Sequence, residues 1–330
     1  MANLALSPTA VPESKIAAIK RGSAGDARFR GMTFVAAFLV VVIFAGIMIA
    51  LAIGAWPAIM EFGWSFLFSQ KWNPVTEKFG ALASIYGTLV TSFLAMLLAV
   101  PVGIGIAIFL TEICPRFLRR PIGIAIELLA GIPSIVYGIW GLFVFAPFFQ
   151  STVQPWLIEV FADIPWLQDL FAGPPYGIGI FTSSFILSIM ILPFISAVTR
   201  DVFNTVPPTL KESAYAMGCT TWEVVWRVVL PFSRAGVVGG AMLALGRALG
   251  ETMAVTFVIG NSHRIHESLF APGTTISATI ANEFTEAVGD LYHSSLIEAG
   301  LILFFISFVV LASAQIMLRA LERRAGGMSG

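Results

Sequence analysis

Two ionisable residues, Arg247 and Glu251, lie within the apolar stretch Ala235–Ile259. They are four positions apart, so their side chains share one face if the stretch is a helix. A helix that begins near Ala235 and rises about 1.5 Å per residue brings Arg247 close to the middle of a bilayer. A charge at that depth indicates a solute pathway or a buried ion pair. We expect Arg247 to offer positive charge to a passing anion while Glu251 balances it. The alternative is that the two only neutralise each other or fix an interface with another subunit.

Three further features bear on a pathway inside a membrane. The sequence Gly-Ile-Pro-Ser at 131–134 is expected to interrupt a spanning helix, and a half-helix beginning at Ser134 would direct backbone N–H groups towards an anion. A simple packing kink is the alternative interpretation. Glu127 is expected within the same span, where it either pairs with a basic group such as Arg247 or faces a wet cavity. Glu298 is expected to reach water from the outer end of the last span and to be structural.

Other kinds of chemistry find little support in the sequence. There is no G-x-x-x-x-G-K-[ST] loop, so the chain is not expected to bind or hydrolyse ATP itself. Cys114 and Cys219 form no C-x-x-C pair and are expected to be reduced, structural thiols. The histidines have no metal-ligand spacing with carboxylates, and we expect them in a wet outer loop: His263, His266 and His293. We therefore expect no catalytic residue, no metal and no cofactor.

The composition predicts an integral membrane protein. Of the 330 residues, 57% are hydrophobic and only 12% are charged, whereas an average soluble domain carries about a quarter charged residues. The formal net charge of zero indicates no nucleic-acid partner. A spanning helix needs about 20 mostly apolar residues, and six stretches meet that requirement. These are Thr33–Ala55, Ala81–Leu110, Pro121–Phe149, Tyr176–Val198, Ala235–Ile259 and Ser294–Leu318. The predicted fold is all-α, with a transmembrane domain over 33–318 between tails at 1–32 and 319–330.

The distribution of Lys and Arg predicts how the chain crosses the bilayer. The first apolar run is 23 residues long, which exceeds the 7–15 residues of a signal-peptide core, so we expect it to be retained as a span. Basic residues accumulate on the cytoplasmic side of membranes. Fifteen of the 19 Lys and Arg residues fall in the segments that share a side with the N-terminus: 1–32, 111–120, 199–234 and 319–330. Both termini are therefore expected in the cytoplasm, with only Lys71, Lys78 and Arg264 outside.

The segment 207–231, between the fourth and fifth predicted spans, has the pattern of two short helices. Capping boxes are predicted at Thr209 with Glu212 and at Thr220 with Glu223. Gly218 is placed to end the first helix in the left-handed conformation, and Pro231 to end or reset the second. One apolar stripe is predicted on the second helix: Trp222, Val225, Trp226 and Val229. Such a unit is too short to bury itself, so it needs another surface to pack on.

The same segment carries a family motif. Glu212-Ser213-Ala214, three residues, Gly218, nine residues, Val228, one residue and Leu230-Pro231 resembles the EAA loop of ABC-importer permeases. Ser213 and Val228 stand where that pattern has Ala and Ile. The resemblance implies a type I ABC-importer permease core of five helices plus an extra N-terminal span. It also implies that the segment docks on an ATPase subunit, with these residues coupling the two: Glu212, Ala214, Gly218, Leu230 and Pro231.

Two more stretches narrow the resemblance. Residues 127–138 and 245–255 resemble the PstC-type permeases of bacterial phosphate importers. That resemblance implies import of inorganic phosphate through the inner membrane by alternating access. It implies four partners besides the lipid bilayer: a PstA-type second permease, two PstB-type ATPase subunits and a periplasmic PstS-type binding protein. Permeases for sulfate, molybdate or phosphonate are the nearest alternatives. A secondary transporter would show internal repeats of its spans, and none is convincing here.

Overall fold

The structure, a computed structural model, describes residues 13–326. Within that part the regular structure is helical, apart from an isolated β-bridge between Asn73 and Lys78. The α-helices are α1 (Glu13–Phe62), α2 (Ser65–Phe68), α3 (Leu82–Ile108), α4 (Arg116–Ala130), α5 (Ser134–Trp140), α6 (Ala146–Phe148), α7 (Gln154–Phe161), α8 (Pro165–Phe171), α9 (Ile180–Asn204), α10 (Pro208–Ala216), α11 (Thr221–Val224), α12 (Leu230–Leu249), α13 (Met253–Thr256), α14 (Ile276–Glu283) and α15 (Asp290–Gly326). Four π-helical segments join some of them: Phe109–Ile113, Gly141–Phe145, Phe149–Val153 and Val225–Val229.

Six segments of the described chain are helical, long and apolar enough to cross a membrane, which confirms the predicted number. Numbered in chain order as spans 1 to 6, they are Gly25–Phe62, Leu82–Ile113, Ser134–Phe161, Ile180–Asn204, Thr221–Leu249 and Asp290–Arg319. The predicted all-α, membrane-embedded fold is therefore confirmed. Odd-numbered and even-numbered connections alternate between the two sides of such a bundle, so the segment 207–231 lies opposite the loops that follow spans 1, 3 and 5.

The predicted bounds of the third span are wrong. The stretch 121–149 is divided, because α4 ends at Ala130 and span 3 begins only at Ser134. Pro133 lacks a backbone N–H and disfavours helical backbone in the residue before it, so the helix cannot continue through it. Glu127 consequently lies on a separate helix that precedes span 3, and not inside that span as predicted.

The predicted fifth span also ends early. Helix α12 stops at Leu249, ten residues before the predicted end at Ile259. Residues 250–252 are not helical, and α13 contains only one turn. The second half of this crossing is therefore made by irregular backbone, which is tolerated at membrane depth only where protein surrounds it.

Each of the four π-helical segments ends two residues before a proline. These prolines are Pro115, Pro147, Pro155 and Pro231. At Pro115 the helix ends, because the Cys114 backbone is extended. The other three prolines lie inside helices, where a proline ring clashes with the carbonyl four residues earlier, and that carbonyl lies in the π segment. The wider π turn moves the carbonyl away from the ring. Pro231 thus resets the helix, as predicted, and spans 3 and 5 continue past their prolines.

The centre of the bundle is the pair of parallel helices α3 and α9, which cross in the same direction as spans 2 and 4. Helix α3 buries a small residue at nearly every fourth position, which forms one stripe along it: Ala83, Gly87, Thr91, Ala95, Ala99, Gly103 and Ala107. Small side chains let two backbones approach closely in a membrane, where packing rather than the hydrophobic effect drives helix association. A Cβ on Gly103 would lie 2.7 Å from the Ile195 side chain of α9, so that contact leaves no room for one.

Helix α12 packs against α9 through two glycines that are four residues apart. A Cβ on Gly236 would lie 2.5 Å from Val202, and a Cβ on Gly240 would lie 2.7 Å from Val198. These glycines therefore allow the two helices to pack closely. The two contacts also define the register of these antiparallel helices. Moving forward four residues along α12, from Gly236 to Gly240, corresponds to moving back four residues along α9, from Val202 to Val198.

We predict that Gly87→Ala destabilises the protein. A Cβ at Gly87 would overlap the backbone carbonyl oxygen of Thr274, and backbone atoms cannot move away as a flexible side chain can. The expected loss is at least about 1–3 kcal/mol, with a lower thermal unfolding midpoint in detergent.

Gly105→Ala is the matched control for this change. Gly105 lies on the same helix, and nothing lies within 4 Å of its Cβ position. Alanine there should be neutral or stabilising because it has the higher helix propensity. Equal midpoints for the two variants would contradict the assigned contact between α3 and Thr274.

Candidate functional site

The segment 207–231 forms the compact unit that the sequence predicts. Helix α10 begins at Pro208, helix α11 begins at Thr221, and Gly218 between them has a φ of +88°. The predicted left-handed conformation of Gly218 is therefore confirmed. No heavy atom lies within 4 Å of its Cβ position, so the backbone conformation, and not a lack of space, requires glycine.

One of the two predicted capping boxes is present. The Thr220 hydroxyl accepts a hydrogen bond from the Glu223 backbone N–H at 3.4 Å, and the Glu223 carboxylate accepts one from the Thr220 N–H at 2.9 Å. The box predicted for Thr209 and Glu212 is wrong. Proline suits the first helical position, where no N–H is needed, so the helix starts at Pro208 and Thr209 is already inside it.

The predicted coupling residues divide between a buried and an exposed side. Ala214 is buried and Leu230 is partly buried, both in one apolar cluster on this side of the bundle. Glu212, Gly218 and Pro231 are exposed. The other buried members of that cluster are Ala107, Phe203, Val206, Val224 and Val229. The unit is thus packed against spans 2, 4 and 5, and its other side is exposed, with apolar side chains such as Met217 and Trp222 beside Glu212.

An ion pair that the sequence analysis missed ties this unit to span 2. The Lys211 ammonium of α10 lies 2.6 Å from the Glu112 carboxylate, whose side chain is only 6% exposed. Removing either partner would leave a buried charge unpaired, which is strongly destabilising. Only a weak signal for this ion pair is present in the sequence. Glu112 and Lys211 are oppositely charged, and both lie in connections that are predicted to be on the cytoplasmic side of the membrane.

The apolar stripe predicted for the second helix does not form as one surface. Val225 and Val229 are buried, whereas Trp222 and Trp226 are exposed and pack against each other with ring centroids 5.3 Å apart. The prediction assumed α-helical spacing, but Val225–Val229 is a π segment with more residues per turn, which shifts the side chains around the axis.

Arg247 and Glu251 do not share a helix face. Helix α12 ends at Leu249, so Arg247 lies in its last turn and Glu251 lies beyond it. Within residues 13–326, neither of them forms an ion pair in this chain. The Glu251 carboxylate instead accepts a hydrogen bond from the Ala254 N–H at 3.3 Å, and Arg247 is exposed on the chain's surface.

The helix register indicates the depth of Arg247. Gly236 lies opposite Val202 and Gly240 opposite Val198, so the same antiparallel register brings Arg247 level with Ile191. Ile191 is one residue from the middle of span 4. Arg247 therefore lies about halfway through the bundle, at the depth that the sequence predicts.

Span 3 begins next to the irregular part of the fifth crossing. Ser134 is the first residue of α5, and α5 packs against α13. A Cβ on Gly138 would lie 3.0 Å from the Met253 carbonyl oxygen, which shows how close the two backbones are. The breaks that precede Ser134 and follow Leu249 thus adjoin, and the roles of Ser134, Arg247 and Glu251 stay predictions.

Glu127 pairs with a residue that the sequence analysis did not consider. Its carboxylate lies 2.6 Å from the Arg200 guanidinium, which also contacts Asp201 at 3.2 Å. The suggested pairing with Arg247 is wrong, because α4 packs against the end of α9 that carries Arg200. This pair joins α4 to span 4 on the side of the segment 207–231.

Glu298 does not reach water, contrary to prediction. Its residue is 6% exposed, and its Oε2 atom has no hydrogen-bond partner in the described chain. It lies one helical turn after buried Ser294, whose hydroxyl accepts a hydrogen bond from the Ala58 N–H at 2.9 Å. Sequence position alone suggested the end of a span, but the side chain points into the protein.

The prediction that the histidines lie in a wet loop is wrong for His263. Its ring stacks on Trp72 and contacts the Glu283 carboxylate at 2.8 Å. Burial acts to raise the pKa of Glu283, but hydrogen bonds from His263, Tyr292 and Trp72 outweigh it and lower that pKa. No group of three potential metal ligands occurs among the residues that the structure describes.

Comparison with known proteins agrees with this architecture. Residues 99–327 match the family described as "Binding-protein-dependent transport system inner membrane component". The chain is 67% identical to "Phosphate transport system permease protein PstC" of Mesorhizobium japonicum, over 96% of this chain and 97% of that protein. It is 57% identical to the protein of the same name in Pasteurella multocida, over 90% and 93%.

A solved structure supports the fold independently. The chain aligns with a chain of a bacterial alginate ABC transporter, crystallised in complex with an alginate pentasaccharide-bound periplasmic protein. The TM-score is 0.59, and the alignment covers 90% of this chain and 96% of the other. The sequences are only 20% identical, so this likeness concerns the fold alone.

We predict that Gly218→Val disrupts the segment 207–231, whereas Gly218→Asn is tolerated better. An ordinary side chain at positive φ costs about 1–2 kcal/mol, a β-branched one more, and asparagine less than either. Co-purification of an ATPase subunit, together with solute uptake, measures the effect. Full co-purification and uptake in the valine variant would show that the turn does not depend on glycine.

Proposed function

This chain belongs to the binding-protein-dependent transport system inner membrane components, and from this premise we propose that it is a permease subunit of an ABC importer for inorganic phosphate. It forms part of the path through the cytoplasmic membrane, while another subunit hydrolyses ATP. The chain offers the exposed side of the segment 207–231 to that subunit. Its relatives named as phosphate permeases cover nearly its whole length, which supports phosphate as the solute.

The exposed guanidinium of Arg247 is the observation that carries this proposal. It lies at mid-depth on a surface that the chain itself does not cover, and it has no ion-pair partner within residues 13–326. An unpaired charge in a bilayer is costly, so the site requires a wet pathway, a second subunit or an anion to face it. Phosphate is at least monoanionic at neutral pH, and a guanidinium fork fits its oxygens.

The helix that carries Arg247 also provides a mechanical route from the ATPase. Thr221 to Leu249 is one continuous helical segment, which runs from the segment 207–231 to mid-depth. A movement imposed on α11 by ATP-driven closure would therefore displace Arg247 directly. The buried pair of Lys211 with Glu112 would carry the same movement to span 2. Alternating access then follows as a rigid-body motion of packed helices.

The remaining partners follow from the same proposal. A second permease of the PstA type would cover the exposed surface around Arg247, and two PstB-type ATPase subunits would bind the cytoplasmic side. A PstS-type binding protein would deliver phosphate from outside. This arrangement places both termini in the cytoplasm, in agreement with the distribution of basic residues.

Reconstitution tests the proposal. Vesicles that contain this chain, a second permease and an ATPase should take up phosphate when ATP and a loaded binding protein are supplied on opposite sides. The chain alone should neither hydrolyse ATP nor transport, because it lacks a phosphate-binding loop of the Walker type. ATP-independent uptake driven by an ion gradient would favour a secondary transporter, and uptake of sulfate in preference to phosphate would change the substrate.

We predict that Arg247→Gln abolishes phosphate uptake while the complex remains assembled. Removing the positive charge at mid-depth takes away the group that compensates a desolvated anion. The double variant Arg247→Gln with Glu251→Gln tests the alternative, in which Arg247 only balances Glu251. Uptake assays and subunit co-purification measure the two effects.

The two hypotheses give opposite results in the double variant. If Arg247 faces the anion, the double variant should be assembled yet inactive. Arg247→Lys is the matched control, because it keeps the charge and loses only the fork, so it should retain part of the activity. Restored uptake in the double variant would overturn the pathway role and leave a purely structural one.

A further inference from the structure

A basic cavity lies on the side of the bundle opposite the segment 207–231. It has a volume of about 550 Å³ and opens between the loops that follow spans 1 and 5. Its lining includes Lys71, Lys78 and Arg264, which are all the Lys and Arg residues of the three loops on that side. His263 and His266 line it too. Three permanent cations from two distant parts of the sequence thus converge on one concave surface.

Local structure holds the two lysines at this cavity. Asn73 and Lys78 exchange backbone hydrogen bonds of 2.9 and 3.2 Å, which close a tight turn after Lys71. Trp72, between Lys71 and the turn, stacks on His263 with ring centroids 5.2 Å apart. That contact ties the first loop to the segment carrying Arg264. The cationic surface is therefore built by the fold and does not depend on chance positions of long side chains.

The cations of this cavity are not neutralised by the residues that the structure describes. Within residues 13–326, Lys71, Lys78 and Arg264 form no ion pair. No carboxylate lines the cavity; Glu283 engages His263 from behind it. The adjoining cavity, which shares the wall residue His266, is lined instead by Asp169 and Glu267 without any Lys or Arg. Charges of opposite sign are thus separated between two neighbouring cavities.

We propose that the basic cavity is an outer phosphate-binding site, which holds the anion before it enters the bundle towards Arg247. The proposal rests on the function proposed above for the identity of the anion. Arg264 supplies a planar fork suited to two phosphate oxygens, and the lysines supply mobile point charges. At about 30 Å³ per water molecule, 550 Å³ accommodates phosphate with much of its hydration shell.

The exposure of these side chains suits a transient site. Lys71, Lys78 and Arg264 are all exposed, so salt screens them over about 8 Å and the binding they provide is weak. Weak binding is what transfer requires, because an anion held tightly at the entrance would not move on. A cluster of like charges also raises the local concentration of its counter-ion and the rate of capture. An acidic surface of a binding protein is the competing occupant, but a concave cavity favours a small anion.

Inorganic phosphate alone is the probe for the first experiment. The full chain, with the subunits that co-purify, is placed in lipid nanodiscs without any binding protein. Lysine acetylation is then followed by mass spectrometry at increasing phosphate and constant ionic strength. Phosphate should slow acetylation of Lys71 and Lys78 at least about threefold, with no effect on Lys211, which is ion-paired on the opposite side. Equal acetylation rates with and without phosphate would overturn the proposal.

Matched variants show whether the protection comes from the cavity. Arg264→Gln should raise the phosphate concentration for half-protection about tenfold, whereas Arg264→Lys should change it little. Glu267→Gln, in the adjoining cavity, controls for a general change in surface charge and should leave the protection in place. Protection that is unchanged in Arg264→Gln would place the phosphate elsewhere and overturn the assignment.

A second measurement separates this site from docking and from the proposed function. The triple variant Lys71→Gln, Lys78→Gln, Arg264→Gln should bind the binding protein with unchanged affinity but import several-fold less phosphate per ATP. Lost affinity for the binding protein, without phosphate protection in the parent protein, would make the cavity a docking surface and overturn the proposal. Phosphate protection in a parent complex that imports no phosphate would refute the proposed function and leave the site standing.

Discussion

Inside a bilayer, a backbone N–H or C=O without a hydrogen-bond partner costs several kcal/mol, and this constraint governs where the chain can leave the helical conformation. The fifth crossing leaves it after Leu249, and the rest of the protein supplies the missing partners. The Gly179 N–H donates to the Val258 carbonyl, the Gly273 N–H donates to that of Ile259, and the Thr88 hydroxyl of α3 accepts from the Ile276 N–H. The close pair of α3 and α9 is thus the support on which an irregular segment at mid-depth depends.

That support explains why one helix can both respond to a partner and hold a charge at mid-depth. Span 5 is helical from Thr221 to Leu249, and Gly236 and Gly240 bring its backbone directly against the Val202 and Val198 side chains of α9. Small residues at a helix interface allow such close packing. The π segment at Val225–Val229 accommodates Pro231 without ending the helical segment of span 5. Movement at the segment 207–231 is therefore transmitted along an unbroken element.

Sequence patterns predicted the existence of the membrane-spanning helices better than the residues at which those helices begin and end. Apolar runs of sufficient length identified six spans, because the bilayer imposes a minimum length that any single sequence reveals. Gly218 and the Thr220–Glu223 box were predictable because both signals act within four residues. The end of α12 was not, because Leu249 is followed by more apolar residues and only tertiary hydrogen bonds make the irregular backbone possible. The pairing of Glu127 with Arg200 was missed for a similar reason: it joins two helices far apart in sequence.

The cations of the bundle differ in whether a carboxylate of the chain pairs with them. On the side of the segment 207–231, the basic residues that lie among the helices are neutralised, Arg200 by Glu127 and Lys211 by Glu112. At mid-depth Arg247 has no ion-pair partner among the described residues, and on the far side the cations of the basic cavity have none either. An anion is thus attracted at the far side and at mid-depth, where desolvation is most costly. Because a transported ion must bind well enough to enter and weakly enough to leave, the exposed, salt-screened cations of the basic cavity suit the entry step.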